Sequence, residues 1–232
     1  MLKVSFPLRL QDAVATYDVA YGSIQRPCNG EEEPGQQWVD VTGKGQTVSG
    51  KTIPYGFSLL NDSKYGFDVL GSDVRMTLLR SPIYAYHDPY KPEPQRQYVY
   101  QDQGVQTATY RMVPHAGAWQ DAALSRRAWE LNVRPLWVNE YIHAGTLPEA
   151  TAFLSAEPSN IVLAVCKKAE DSDEIIVRAY EAAGRATRAV LASTHLAKSF
   201  EVDFGAHEIK SLCVRLGAHA SVTEIDMLER PY

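Results

Sequence analysis

Cysteine is scarce: three in 232 residues, at positions 28, 166 and 213, with no CxxC pair. An odd, widely spaced set builds neither a disulfide framework nor a zinc knuckle, and it fits a reducing, cytoplasmic setting. Cys166 and Cys213 sit in apolar runs, which predicts small buried core thiols. No apolar run approaches the roughly 20 residues that a membrane helix needs. The opening Met1-Leu-Lys-Val-Ser-Phe-Pro7 lacks the apolar stretch of a secretion signal. A membrane partner is therefore not expected. Cationic residues are not in excess either: 23 Lys and Arg face 28 Asp and Glu, a net charge of −5. Nucleic-acid binding through phosphate neutralisation is accordingly not expected. The six histidines, His87, His115, His143, His195, His207 and His219, show neither HExxH nor HxxxH spacing, so no metal site is assigned within the chain. No repeat of solenoid period and no low-complexity tract is present.

What is there is ordinary globular material, 45% hydrophobic and 22% charged. Short runs of period two predict strands separated by turns. Ala15 to Ser23 carries Tyr17, Val19 and Tyr21. Gly56 to Asn61, Val74 to Arg80 and Val105 to Val113 follow the same style. Gln120 to Asn132 differs. Leu124, Ala128 and Leu131 fall at helical spacing, and Pro135 stops the run. The last third predicts a β-meander: Asn160 to Lys168, a charged turn through Glu174, Ile175 to Glu181, Ala186 to Ala192, and Glu208 to Leu216. A boundary near Gly145 to Pro148 would separate it from the larger first part.

Several motifs invite a sharper reading. Gly45-Gln-Thr-Val-Ser-Gly50-Lys51-Thr52 fits the phosphate-loop pattern, but Ile53-Pro54-Tyr55-Gly56 cannot open the long helix such a loop requires. An inter-strand loop is expected instead. Asp171-Ser-Asp173-Glu fails calcium-loop spacing, since positions six and twelve fall on Ile176 and Ala182. A solvated hairpin turn is expected there. Tyr84, Tyr86, Tyr90, Tyr98, Tyr100 and Trp119 could stack on sugar rings or pack across strands, and composition alone favours core and cross-strand packing.

At Leu59-Leu-Asn-Asp-Ser-Lys-Tyr-Gly-Phe-Asp-Val69 the chain resembles the LLNDSKYGFDV signature in the C-terminal part of glycoside hydrolase family 38 α-mannosidases. Further resemblances follow in family order. Arg75 to Tyr84 is similar to the RLTLLRSPxY strand, and Asp102-Gln-Gly104 to the DQG turn. Tyr110 to Trp119 is similar to YxLxPHxGxW. Lys167 to Glu174, Val177 to Glu181 and Gly184-Arg185 resemble the KKAEDGDGLILRLYETTGR hairpin. His207 to Leu212 resembles the closing FEIKTLRL strand.

That resemblance implies an all-β chain: a large sandwich over residues 1–147, part of a galactose-mutarotase-like supersandwich with one short helix, then a small C-terminal sandwich over 148–232. It implies retaining, zinc-dependent hydrolysis of terminal α-mannosides by the full-length enzyme. Nucleophile and zinc ligands are implied to lie in an N-terminal domain, so neither catalytic residues nor a cofactor are assigned to this chain, which alone is expected to be inactive. The implied partners are that N-terminal catalytic domain and mannose-containing glycans, with a homo-oligomer left open. A retaining glycosidase needs two carboxyl groups about 5–5.5 Å apart, and nothing in the spacing of Asp62, Asp68, Asp73 and Asp102 nominates a pair. The resemblance places a pocket-contributing arginine at Arg80. A guanidinium there suits sugar hydroxyls or a loop-holding salt bridge. Asn61, Asp62, Lys64 and Tyr65 form the adjacent polar turn and are candidates for the pocket rim or a domain interface, although Asp62 could equally cap the turn. His115 and Trp119 read as structural. Tyr84 to Tyr100 is longer than the family's usual link and either adds a rim or decorates an edge. A stand-alone carbohydrate-binding module and a structural or oligomerisation domain are the alternative readings.

Overall fold

The computed structural model describes residues 1–146, 148–194, 198–215 and 220–232. Antiparallel strands dominate, and contacts divide the chain into two units. The first comprises Met1–Asp18 and Ile24–Trp119, the second Val19–Ser23 and Gln120–Tyr232.

The first unit is built on β1 (Leu2–Pro7), β2 (Gln11–Val19), β3 (Gly22–Arg26), β4 (Glu33–Pro34), β5 (Trp38–Gln46), β6 (Thr52–Asn61), β7 (Gly66–Leu70), β8 (Asp73–Leu79) and β9 (Tyr110–Ala116). They form a four-stranded sheet ordered β1-β8-β7-β4 and a five-stranded sheet ordered β3-β2-β5-β6-β9. Side chains alternate across a strand, so residues two apart share a face. Ala15 and Tyr17, Val39 and Val41, and Phe57 and Leu59 line one inner face. Phe67 and Val69, and Val74 and Met76, line the other. The two faces close on a single buried core, which is the sandwich expected from the sequence. Each large side chain fully buried there is worth about 1.5–3 kcal/mol.

The reverse face of β5 and β6 is also buried. Trp38 packs on Trp119 with ring centroids 5.0 Å apart. Asp40 accepts hydrogen bonds from the hydroxyls of Ser58 (2.7 Å) and Thr42 (2.5 Å), and His115 Nε2 lies 2.8 Å from its carboxylate. This ring position requires glycine at 56, because a Cβ there would lie 2.2 Å from His115 Cε1. β2 ends at Val19, short of the expected Ser23, since Tyr21 adopts φ 57° in a turn. Gly45 to Thr52 joins β5 to β6 as a hairpin, with Gln46 opposite Thr52 and the Thr47 amide donating to the Lys51 carbonyl (2.9 Å). It is the inter-strand loop expected.

The second unit holds α1 (Leu124–Asn132), β10 (Ser155–Glu157), β11 (Ile161–Lys168), β12 (Ile175–Glu181), β13 (Thr187–Ser193), β14 (Lys198–Phe204), β15 (Ile209–Arg215) and β16 (Ser221–Ile225). Sheets ordered β10-β13-β14 and β11-β12-β15-β16 enclose Ile161, Val177, Ala179, Leu191, Phe204 and Leu212. Leu216, expected on the same face as Leu212 and Val214, lies outside the described residues, as do His195, Leu147 and His219. The helix predicted from Gln120 begins at Leu124, because Ala123 is left-handed (φ 51°) and separates it from a 3-10 turn over Trp119–Ala122. The sequence grouped this helix with the first part, whereas its contacts group it with the second. Trp129 donates its indole N–H to the Tyr180 hydroxyl (3.0 Å), and Arg126 donates to the carbonyls of Ala156 (2.8 Å) and Ile161 (3.0 Å). Those carbonyls belong to the edge strands β10 and β11, so one guanidinium caps both open edges.

The cysteine expectation fails. Cys166 is exposed and Cys213 only half-buried. A register shift between Leu163 and Val165 breaks the inward alternation of β11 before Cys166 is reached. Among the described residues, no helix is long and apolar enough to cross a membrane.

The Gly184-Arg185 hairpin is held by a fully buried carboxylate. Glu181 accepts from Asn160 Nδ2 (2.8 Å) and from the backbone amides of Ala183 (2.7 Å), Arg185 (3.0 Å) and His207 (3.1 Å). Gly184 has φ 73°, and a Cβ there would lie 2.8 Å from His207 Nε2. Burial raises the Glu181 carboxyl, but the hydrogen bonds from Asn160, His207, Ala183 and Arg185 outweigh it and hold it below the usual value. A folded value below the unfolded one makes this contribution complete above the unfolded carboxylate range, about pH 4.3. It is lost as pH falls through the folded value. Glu181→Ala strands four donors and should lower the unfolding free energy by about 3 kcal/mol or more. Urea denaturation at pH 7 checks this, and the difference should shrink toward pH 3.

Candidate functional site

The signature turn leaves β6 at Asn61 and enters β7 at Gly66. Asn61 is fully buried. Its side-chain oxygen accepts from the amides of Ser63 (3.0 Å) and Lys64 (2.7 Å), and its side-chain nitrogen donates to the Gln36 carbonyl (3.0 Å). Its own amide donates to the Gln37 carbonyl (2.9 Å). Asp62 accepts from the Thr109 amide (2.9 Å) and the Ser63 hydroxyl (2.8 Å). Burial pushes the Asp62 carboxyl up, and the Thr109 and Ser63 donors more than offset it, leaving it below the ordinary range. Asn61 and Asp62 thus hold the turn closed, while Tyr65 stands half-exposed at its end.

Tyr65 and Arg80 lie at one cleft, of about 450 Å³, which they line with Glu32, Glu33, Pro34, Gly66 and Met1. The sequence nominated Tyr65 and Arg80 and did not single out Glu32 or Glu33. Glu32 accepts from Thr77 Oγ1 (2.7 Å) and pairs with Lys3 Nζ (2.9 Å). Burial raises its carboxyl, but Thr77, Lys3 and the nearby Arg80 charge outweigh that and set it below the usual value. Glu33 pairs with Arg26 (2.9 Å), whose guanidinium lies 5.0 Å from the Tyr17 ring centre. Lys3 and Arg75 both pair with Asp68, which is fully buried. Asp73 accepts from the Ser5 hydroxyl (2.7 Å). Asp68 and Asp73 therefore serve the scaffold. Lys64 is half-buried, on the turn between the Asn61 and Tyr65 ends, and is not among the cleft-lining residues.

Behind the turn lies a carboxyl that no motif announces. Asp18 accepts from the Gln37 amide (2.8 Å), and its carbonyl accepts from the Gln36 amide (3.0 Å). Burial pushes its pKa up to about 7, more than the Gln37 amide can pull it down. The tyrosines of the long loop largely pack on one another. Tyr86 lies 5.1 Å from Tyr98 and 5.6 Å from Tyr90, and Arg96 sits over Tyr98. The loop ends are pinched, with the Tyr84 amide donating to the Val99 carbonyl (2.7 Å).

The family model described as "Glycosyl hydrolases family 38 C-terminal domain" matches residues 1–95. "Glycosyl hydrolases family 38 C-terminal beta sandwich domain" matches 160–232. Human "Alpha-mannosidase 2C1" is 32% identical over 194 residues, covering 79% of this chain and 16% of that protein. "Alpha-mannosidase G" of Dictyostelium discoideum is 30% identical over 183 residues, 75% of this chain and 15% of its own length. The chain thus spans about one sixth of the curated relatives it matches. The crystal structure of an α-mannosidase from Enterococcus faecalis V583 shares the fold with a TM-score of 0.66 at 16% identity, covering 91% of this chain and 25% of that one.

Two predictions follow from this geometry. Asn61→Ala removes the bonds that hold the turn and should cost about 1–3 kcal/mol in urea unfolding, whereas Arg80→Ala at the exposed rim should stay within about 0.5 kcal/mol. Asp18 has a folded value above its unfolded one, so its ionisation costs stability as pH rises from about 4 to about 7. Asp18→Asn should therefore raise the melting temperature relative to wild type at pH 8 and lose that advantage at pH 4. An equal effect at both would contradict the burial assignment.

Proposed function

The chain belongs to glycosyl hydrolase family 38, matching the C-terminal portion of its α-mannosidases, and from that premise we propose that it serves as the accessory β-portion that completes an α-mannoside pocket. It packs on the family's catalytic domain, which carries the nucleophile and the zinc. This chain presents Arg80 and Tyr65 toward the sugar, with Asn61, Asp62 and Lys64 shaping the turn behind them. The resident enzyme is cytoplasmic, and its substrates are mannose-containing glycans.

What supports the reading is that Tyr65 and Arg80, supplied by two separate family motifs, line one cleft. The guanidinium offers five donors in a fixed fork to sugar hydroxyls, and the tyrosine offers a ring face and a hydroxyl. Glu32 and Glu33 place acceptors on the same wall. Zinc does not fit here: among the described residues, no three His, Cys, Asp or Glu side chains are grouped to hold a metal. Alone, the chain binds and orients and does not cleave.

The test pairs this chain with a family 38 catalytic domain and follows hydrolysis of a chromogenic α-mannoside. Arg80→Ala should raise KM about tenfold, the loss of about 1.4 kcal/mol of binding, with kcat nearly unchanged and Arg80→Lys intermediate. Kinetics identical to wild type in both variants would sink the pocket assignment.

A further inference from the structure

Between β4 and β5 the chain crosses Gly35-Gln36-Gln37, a strap that runs between Asp18 and the signature turn. On the turn side, the Gly35 amide donates to the Tyr65 carbonyl (2.9 Å), and Asn61 Nδ2 donates to the Gln36 carbonyl (3.0 Å). On the other side, the Gln36 amide donates to the Asp18 carbonyl (3.0 Å) and the Gln37 amide to the Asp18 carboxylate (2.8 Å). The Gln36 carbonyl and the Gln37 amide are the two ends of one planar peptide group. The bonds through it therefore all run one way. The Ser63 and Lys64 amides donate to Asn61, Asn61 donates to the Gln36–Gln37 peptide, and that peptide donates to Asp18. Head-to-tail amides polarise one another, and an ionised acceptor at the end strengthens the bond it receives about twofold. The strap leads directly out of Glu33 and Pro34, so it connects to the cleft through those residues and through Tyr65.

The end of this chain of bonds can change its charge. Asp18 is half-buried, so solvent protons reach it. Burial pushes its carboxyl up to about 7 against the pull of the Gln37 amide, and those are its two causes. The strap carries no ionisable side chain. On β3, Arg26 is paired with Glu33 and lies over the Tyr17 ring of β2. On β5, Asp40 is bound by Ser58, Thr42 and His115, and Lys44 is paired with Asp12 of β2. Tyr21, in the turn after β2, stacks on Tyr180. The signature turn adds Asp62, bound by Thr109 and Ser63, together with Lys64 and Tyr65. Ionised Asp18 draws on the amides in series, whereas burial favours its neutral form. The two effects oppose each other at one side chain.

We propose that Asp18 is a positioning residue for the cleft: its carboxylate terminates a one-way chain of amide hydrogen bonds that sets the turn carrying Tyr65. What this means for sugar binding rests on the pocket reading, and two readouts keep the failures apart. The first uses the full chain alone, labelled with 15N, and follows amide chemical shifts from about pH 5 to about pH 9. The Gln37 amide, the Asn61 side-chain amide and the Ser63 and Lys64 amides should share an inflection near pH 7. Asp18→Asn keeps the acceptor oxygen for Gln37 and removes the charge, so the variant should fold and lose that inflection at every one of these amides. The second readout pairs the chain with a family 38 catalytic domain and compares KM for a chromogenic α-mannoside. Wild type and Asp18→Asn should agree at about pH 5.5, and at about pH 8 wild type should have the lower KM, by about twofold or more, with kcat alike. An inflection confined to Gln37, or one that survives in Asp18→Asn, overturns the proposal. So does an equal KM at about pH 8 while Arg80→Ala still raises KM. If Arg80→Ala leaves KM unchanged, the sugar pocket fails, and the amide shifts alone decide whether Asp18 sets the turn.

Discussion

The side chain of Asn61 ties two stretches of backbone together, and the cleft depends on it. It is fully buried at the end of β6, gripping the Gln36 carbonyl on one side and the Ser63 and Lys64 amides on the other. A short amide with both donors and acceptors is the group that can do this. Aspartate would lose the donor, and a longer side chain would not close the turn. With the turn fixed, Tyr65 leads into β7 at Gly66, beside β8, which Arg80 follows. The loop carrying Glu32 and Glu33 is drawn to the same wall.

The second constraint is buried charge. Asp68 is wholly out of solvent between Lys3 and Arg75, and Lys3 reaches on to Glu32. Burial works against the Lys3 charge, but Asp68 and Glu32 raise it overall. Such pairs add little net stability, because desolvation offsets the attraction. What they contribute here is placement. β1, β7 and β8 are tied at one register, and the Glu32 carboxylate is held at the cleft in its ionised form. The acids of this region therefore divide between orientation and scaffold.

The strands were legible wherever period-two patterns met clear turns. Ile175–Glu181 falls on its predicted limits, and the phosphate-loop look-alike folds as the hairpin that Pro54 demanded. Phe200, Val202 and Phe204 in β14 carry a strand signal of the same kind, outside the strands predicted. The cysteines were misread because a bulge at Leu163–Val165 resets the faces, and a one-residue insertion leaves no mark in composition. Asp18 was invisible for a similar reason, since its burial comes from tertiary packing. Tyr65 and Arg80, which line one cleft, were nominated through motif order, and their role there is the proposal. The Glu32 contacts were not foreseen, because Lys3 and Thr77 are brought to it from distant strands.

The account's central claim is that this chain shapes a pocket without containing the chemistry. The most direct test is hydrolysis of a chromogenic α-mannoside by the purified chain alone, with bound zinc quantified in the same sample. The account predicts no turnover above buffer and no stoichiometric zinc. Zinc-dependent turnover by these 232 residues would contradict it, placing the reacting groups inside the two sandwiches.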